Sequence, residues 1–117
     1  MKRLAATALL ATAATATACV PPPAPQTCPE AVRLAFRGTG VAERMVKISW
    51  RESRWDPTAR NRRSSAVGCL QILTRTHARR IARLGFTTRQ MSEAGPNAAV
   101  ARSLFDDAGL SPWALTS

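Results

Sequence analysis

A mainly α-helical domain is predicted by three features of the sequence. Apolar residues recur at helical spacing through Val41, Met45 and Ile48. No run alternates apolar and polar residues as a half-buried strand does. Cap and turn residues divide the chain into segments of helix length, at Gly38-Thr39-Gly40, Asp56-Pro57, Gly85 and Gly109.

A first helix is expected over residues 29–37, ending at the Gly-Thr-Gly turn. The second is expected over residues 41–54 and closed by Asp56-Pro57, because the residue before a proline disfavours helix. Residues 56–66 read as a polar, Arg-rich loop. The apolar run Val67–Leu73 is too short for periodicity to decide its state. Thr74 is placed as N-cap of a helix to Leu84, with Gly85 as the stop. Thr88 is expected to cap a short helical turn to Glu93. Asn97 is expected to open a last helix through Ala108, with Gly109 just past its end. Ser111-Pro112-Trp113 closes the domain.

The segment before residue 28 reads differently. Met1-Lys2-Arg3 is a positive start, an Ala/Leu/Thr apolar stretch follows, and Ala16-Thr17-Ala18 resembles a cleavage site. Residues 1–18 are therefore expected to be an export signal, too short and weakly apolar for a spanning helix. Cys19 follows directly, as in a lipoprotein box, although Ala16 stands where Leu is usual. Lipid anchoring at Cys19 and plain secretion both stay open. Residues 19–27 are proline-rich and form an extended spacer. The folded domain is assigned to residues 28–117.

Glu52 is the most informative residue. It falls on the apolar stripe of its helix, one step after Ile48, with Trp55 continuing the line. Other acids have a basic residue at helical spacing: Glu43 with Lys47, Glu93 with Arg89, Asp106 with Arg102, Glu30 with Arg33. Glu52 has none. A half-buried, unpaired carboxyl group should be protonated more readily than a free one, which suits a proton donor. Ile48, Trp55, Leu70 and Ile72 are expected to line its pocket.

With Cys19 lipidated or removed, Cys28 and Cys69 remain as a pair, and a bridge between them would help a small exported domain. No His/Cys spacing suggests a metal site, and no cofactor motif appears. His77, the only histidine, is expected on the surface of a basic helix. A Ser–His or Cys–His mechanism would require it, and no nucleophile turn lies nearby. The net charge is +10, and without residues 1–18 it is +8, from 15 basic and 7 acidic residues. Such a chain is attracted to anionic polymers, including the bacterial wall, lipid headgroups and nucleic acid.

Several motifs then align. Glu52-Ser53 closes a helix, Asp56-Pro57-Thr58-Ala59 follows, then Ser65-Ala66-Val67-Gly68-Cys69-Leu70-Gln71-Ile72. Asn97, Phe105, Gly109 and Pro112-Trp113 come later. This set resembles the lysozyme-like soluble lytic transglycosylase (SLT) domain over about residues 28–113. The resemblance implies a compact, mainly helical lysozyme-like fold that binds peptidoglycan glycan strands in a cleft. It implies that Glu52 is catalytic, that Ser53 holds substrate or glutamate geometry, and that Gly68 and Gln71 line the cleft. It gives Asn97 a mainly structural role. Asp56 stands for the usual Asn, Cys69 for the usual Leu, and the chain has no tyrosine. Phe105 is the nearest stand-in for the late-helix Tyr of many members.

The expected reaction is cleavage of the MurNAc–GlcNAc bond with Glu52 as acid and then base, leaving 1,6-anhydro ends. A hydrolytic muramidase and a non-catalytic wall-binding module are the alternatives. A DNA-binding reading of the Arg75, Arg79, Arg80, Arg83 helix is set aside because of the export signal and spacer. Trp50 lies off the apolar stripe and is expected to contact sugar, while Trp55 and Trp113 are expected in the core. Arg60, Arg62 and Arg63 contact wall carboxylates or form a solvated face. The expected protein is monomeric and exported to the cell envelope, either secreted or held at the membrane by a lipid anchor, with no nucleic-acid partner.

Overall fold

The computed structural model describes residues 5–12 and 26–116. Cys19 and most of the proline-rich spacer lie outside the described residues. Four helices, α1 (Cys28–Ala35), α2 (Ala42–Ser53), α3 (Ala78–Arg83) and α4 (Ala94–Ala108), carry the fold. Between α2 and α3 lie two short antiparallel strands, β1 (Ala66–Val67) and β2 (Ile72–Leu73), with Val67 opposite Ile72. Two 3-10 turns, Thr88–Ser92 and Ser111–Trp113, flank α4. The mainly α class is as expected.

Helix α1 starts where Thr27 and Glu30 form a reciprocal capping box. Glu30 is therefore used at the cap, and Arg33 pairs instead with Glu43 on α2, Nε to Oε1 2.7 Å. The expected Glu30–Arg33 and Glu43–Lys47 pairs are replaced by this link between helices. Of the expected pairs, Arg102–Asp106 forms within α4 at 2.8 Å. Helix α1 packs against both α2 and α4, burying Ala31, Val32 and Phe36 against Met45, Val46, Ile48, Val100 and Ala101.

Helix α2 ends within one residue of its expected end, but at a left-handed cap before Asp56-Pro57 is reached. Arg54 adopts a left-handed conformation at φ 55° and its N–H caps the carbonyl of Trp50. Trp55 follows at φ 60°. This turns the Trp55 ring outward, 42% exposed, with Nε1 donating to the Val46 carbonyl. Trp55 is thus not in the core, whereas Trp113 is.

The apolar run that periodicity left undecided is a hairpin. Thr74 does not cap a helix: its N–H and hydroxyl both donate to the Ser65 carbonyl, across the base of the hairpin. Helix α3 begins only after His77. Thr87, not Thr88, makes the capping box of the next turn, with Gln90. Helix α4 starts at Ala94, which puts Asn97 inside its first turn.

One core runs from Cys28 to Trp113. Cys28 and Cys69 are both fully buried and disulfide-bonded, with Cα atoms 5.6 Å apart. The chain as a whole is extended, with a radius of gyration of 23.2 Å, where a globule of this length would have about 13 Å. The compactness expected from the resemblance is therefore not met by the whole chain. Residues 5–12 have no regular structure and add nothing to the core, with Leu9 and Leu10 94% and 89% exposed. No helix among the described residues is long and apolar enough to cross a membrane.

The disulfide ties the start of α1 to the hairpin turn, 41 residues away. In the chain-entropy account, a loop of that length contributes about 4 kcal/mol. Replacing both Cys28 and Cys69 by Ser should lower unfolding stability by roughly 2–4 kcal/mol. Urea denaturation of the two proteins side by side reads this directly.

Candidate active site

Four successive carbonyls of the hairpin turn are buried, and each accepts a hydrogen bond from a different side chain. Asn97 Nδ2 donates to Val67 at 2.9 Å, and Gln71 Nε2 to Gly68 at 3.2 Å. The Ser53 hydroxyl lies 2.9 Å from the Cys69 carbonyl, and Trp113 Nε1 donates to Leu70 at 3.1 Å. Asn97 also accepts from Leu70 N–H through Oδ1 and donates to the Met91 carbonyl. Buried peptide groups must be paired, and a two-residue ladder leaves most of this turn without strand partners. Side chains from α2, α4 and the C-terminal turn, with Gln71 of the hairpin itself, supply them.

Gly68 is fixed by the same contacts. Its φ is 84°, and a Cβ there would lie 2.3 Å from both Asn97 Nδ2 and the Met91 carbonyl. The glycine lets Asn97 approach the backbone. Gly68 is buried and does not face the cleft; Gln71 does.

That cleft has a volume of about 550 Å³. Glu52 enters it from the last turn of α2. Leu70, Gln71 and Ile72 of the hairpin form one wall. Leu104 and Ala108 of α4, with Trp113, form another. Asn61, Ser64 and His77 also line it. Leu70 and Ile72 neighbour Glu52 as expected. Ile48 is instead inside the core, and Trp55 is on the outer surface; Leu104 and Trp113 take their places.

Glu52 is half-buried. Its Oε1 accepts a hydrogen bond of 2.6 Å from the hydroxyl of Thr116. Thr116 is held in turn by Arg51, whose Nη1 donates to its carbonyl at 2.8 Å, and by its own N–H to Trp113. The glutamate is thus not unpartnered. Its partner is a hydroxyl 64 residues away in sequence, and no local spacing rule could have found it.

Among the described residues, Glu52 is the only carboxylate lining the cleft. Glu30 sits in the capping box, Glu43 on Arg33, Asp106 on Arg102 and Asp107 on Arg80. Glu93 is exposed at the start of α4. The carboxylate of Asp56 accepts from both the N–H and hydroxyl of Thr58, at 2.9 and 2.7 Å, and these bonds hold it below its ordinary pKa. Among the described residues, no group of three His, Cys, Asp or Glu is placed to hold a metal ion.

The other expected site residues divide. Ser53 is buried and directed to Ser49 and Cys69, so it braces the turn rather than touching the cleft. Phe105 points away from Glu52, edge-on to Phe36 with ring centroids 5.6 Å apart. The preceding residue, Leu104, occupies the cleft wall. Trp50 is exposed as expected, but on the outer face of α2 and not in the cleft. His77, expected on a solvated helix, lines the cleft, half-buried.

The comparisons with known proteins fit this site. The transglycosylase SLT domain family matches residues 35–108. The chain belongs to that family. It is a family of lytic transglycosylases that act on peptidoglycan. The match spans Glu52, the hairpin and all of α4, and stops short of Trp113 and Thr116. No curated protein and no solved structure matches the chain.

Two predictions follow from this SLT domain's turn and cleft. Gly68→Ala should destabilise the fold by about 2–4 kcal/mol, because it combines a left-handed backbone with a backbone clash; thermal unfolding measures it. Burial, and then the nearby Arg80, hold the His77 pKa below 6.5. The unfolded chain therefore takes up the proton first, and stability falls as pH drops below about 6.5 towards the folded value. Asp56 and Glu43, both lowered from 3.8 and 4.5, lose their contributions only in a more acidic range. The midpoint of thermal unfolding should decline between pH 7 and 5, and His77→Gln should flatten that decline.

Proposed function

We propose that this chain is a peptidoglycan lytic transglycosylase in which Glu52 acts alone, first as acid and then as base. The observation that carries the reading is that Glu52 is the single carboxylate in the cleft among the described residues. Glycoside hydrolysis by the common route needs two, one to protonate the leaving oxygen and one to activate water or attack the sugar. With one, the substrate must supply the rest.

Protonated Glu52 gives its proton to the oxygen of the MurNAc–GlcNAc bond, and that bond breaks. The 2-acetamido oxygen of the MurNAc ring closes on C1 and carries the developing positive charge. Glu52, now ionised, removes the proton from the 6-hydroxyl of the same sugar. The freed oxygen attacks C1, the acetamido group leaves, and a 1,6-anhydro ring forms. Glu52 ends protonated, ready for another cycle, and no water is consumed.

Thr116 suits a carboxyl group that changes state twice. When Glu52 is ionised, the Thr116 hydroxyl donates to it. When Glu52 is protonated, that hydroxyl can turn to the Trp113 carbonyl, 3.3 Å away. Thr116 is a positioning residue in this reading. Gln71 stands on the cleft wall as a polar contact for glycan, with Nε2 shared between the Ala59 and Gly68 carbonyls. The chain is read as exported and active at the cell envelope, with Cys19 as the residue to test for a lipid anchor.

Digestion of purified peptidoglycan, followed by mass spectrometry of the released sugars, tests this. Anhydro-ended products are expected, and Glu52→Gln should cut the rate by about 10²–10⁴-fold. Reducing ends would make the enzyme a hydrolase; binding without release would make it a wall-binding module. Thr116→Val should lower kcat roughly tenfold with KM little changed, the loss of one charge-assisted hydrogen bond. Thr116→Ser should restore it.

A further inference from the structure

We propose that the outer face of α2 is a second binding site, for glycan strands that carry peptide carboxylates, separate from the cleft. The proposal rests on reading peptidoglycan as the substrate.

Trp50 and Trp55 stand together on this face, each 42% exposed, with ring centroids 4.9 Å apart and planes at 65°. With Lys47 and Arg51 they enclose an apolar groove of about 420 Å³. Trp50 lies two residues before Glu52, about 200° around the helix at 100° per residue. One helix thus presents the cleft carboxylate on one side and an aromatic groove on the other.

Holding Trp55 there is not free. Arg54 and Trp55 both adopt positive φ, a conformation that L-residues other than glycine reach only at a cost. That turn folds the Trp55 indole back against Trp50 and fastens its Nε1 to the Val46 carbonyl. The ring is kept out of the core, where its burial would stabilise the fold more.

The rim of the groove is cationic. Lys47, Arg51 and Arg54 surround it, and the Arg54 guanidinium lies 5.0 Å from the Trp50 ring centroid. The three acids nearest in sequence are all engaged elsewhere: Glu43 on Arg33, Glu52 on Thr116, Asp56 on Thr58. Among the described residues none of these cations has a carboxylate partner; Arg51 donates to the Thr116 carbonyl. An aromatic floor stacks the apolar face of a sugar ring, and the cations match carboxylates on attached peptides. The two rings pack on each other to form a recess instead of projecting, which suits a discrete chain more than a flat lipid surface. The expected consequence is retention on insoluble wall while the cleft works on a strand.

The test uses the full mature chain carrying Glu52→Gln, which keeps binding separate from cleavage. Sedimentation with insoluble peptidoglycan is measured for this protein, for the same protein with Trp50→Ala, and with Lys47→Glu plus Arg54→Glu. Each change should weaken wall binding roughly five- to tenfold, with unfolding midpoints little moved because the side chains are exposed. In the active chain, Trp50→Ala should slow digestion of insoluble wall by a similar factor and leave turnover of short soluble glycan fragments unchanged. Unchanged sedimentation by both variants overturns the proposal. So does binding to anionic phosphatidylglycerol vesicles that these changes weaken, with wall binding unaffected. Absence of turnover on the soluble fragments by the native chain would refute the catalytic reading and leave the sedimentation result standing.

Discussion

The buried turn between β1 and β2 is the constraint on which the rest depends. Its peptide groups are cut off from water, and the short ladder cannot satisfy them. Each carbonyl from Val67 to Leu70 is therefore met by a side chain, three of them from other elements and that of Gly68 by Gln71 of the hairpin itself. An unpaired buried carbonyl costs about 1–3 kcal/mol, so losing several would remove much of a small domain's stability. Asn97, Ser53 and Trp113 are consequently held in fixed relation to one another, and so are the elements that carry them. The disulfide adds a covalent tie at the same point, through Cys69.

That tie also builds the cleft. Ser53 anchors the end of α2 to the turn, which sets where Glu52, one residue earlier, emerges. Trp113 anchors the C-terminal turn, which brings Thr116 within 2.6 Å of the Glu52 carboxylate. Residues that read as a catalytic motif are therefore of two kinds. Glu52 and Gln71 face the cavity, while Ser53, Gly68 and Asn97 make the cavity possible.

Electrostatics follow the same division. The chain has few acids, and most are spent on a cap, a turn or pairs with arginine within or between helices. Arg80, for example, joins α3 to α4 through Asp107 and Ser103. Among the described residues, what remains is the exposed Glu93, the Glu52 carboxylate in a partly apolar cleft, and a surplus of exposed cations. The surplus positive charge is available to engage an anionic polymer.

Helical periodicity and caps are local, so the sequence by itself determined the mainly α class, helices α2 and α4, the cysteine pair and the prominence of Glu52. Glu52 stood out because a carboxylate on an apolar stripe is visible from spacing alone, and it lines the cleft. The hairpin was not legible, because two paired residues on each side are too few to show alternation. The outward Trp55 was not legible either, since it depends on two left-handed residues that are neither glycine nor asparagine. Only the tertiary structure decided that Thr116 partners Glu52, that Leu104 and not Phe105 faces the cleft, and that Arg33 pairs with Glu43. Each of these joins residues brought together by packing around one buried turn, and no local pattern encodes a contact between distant segments.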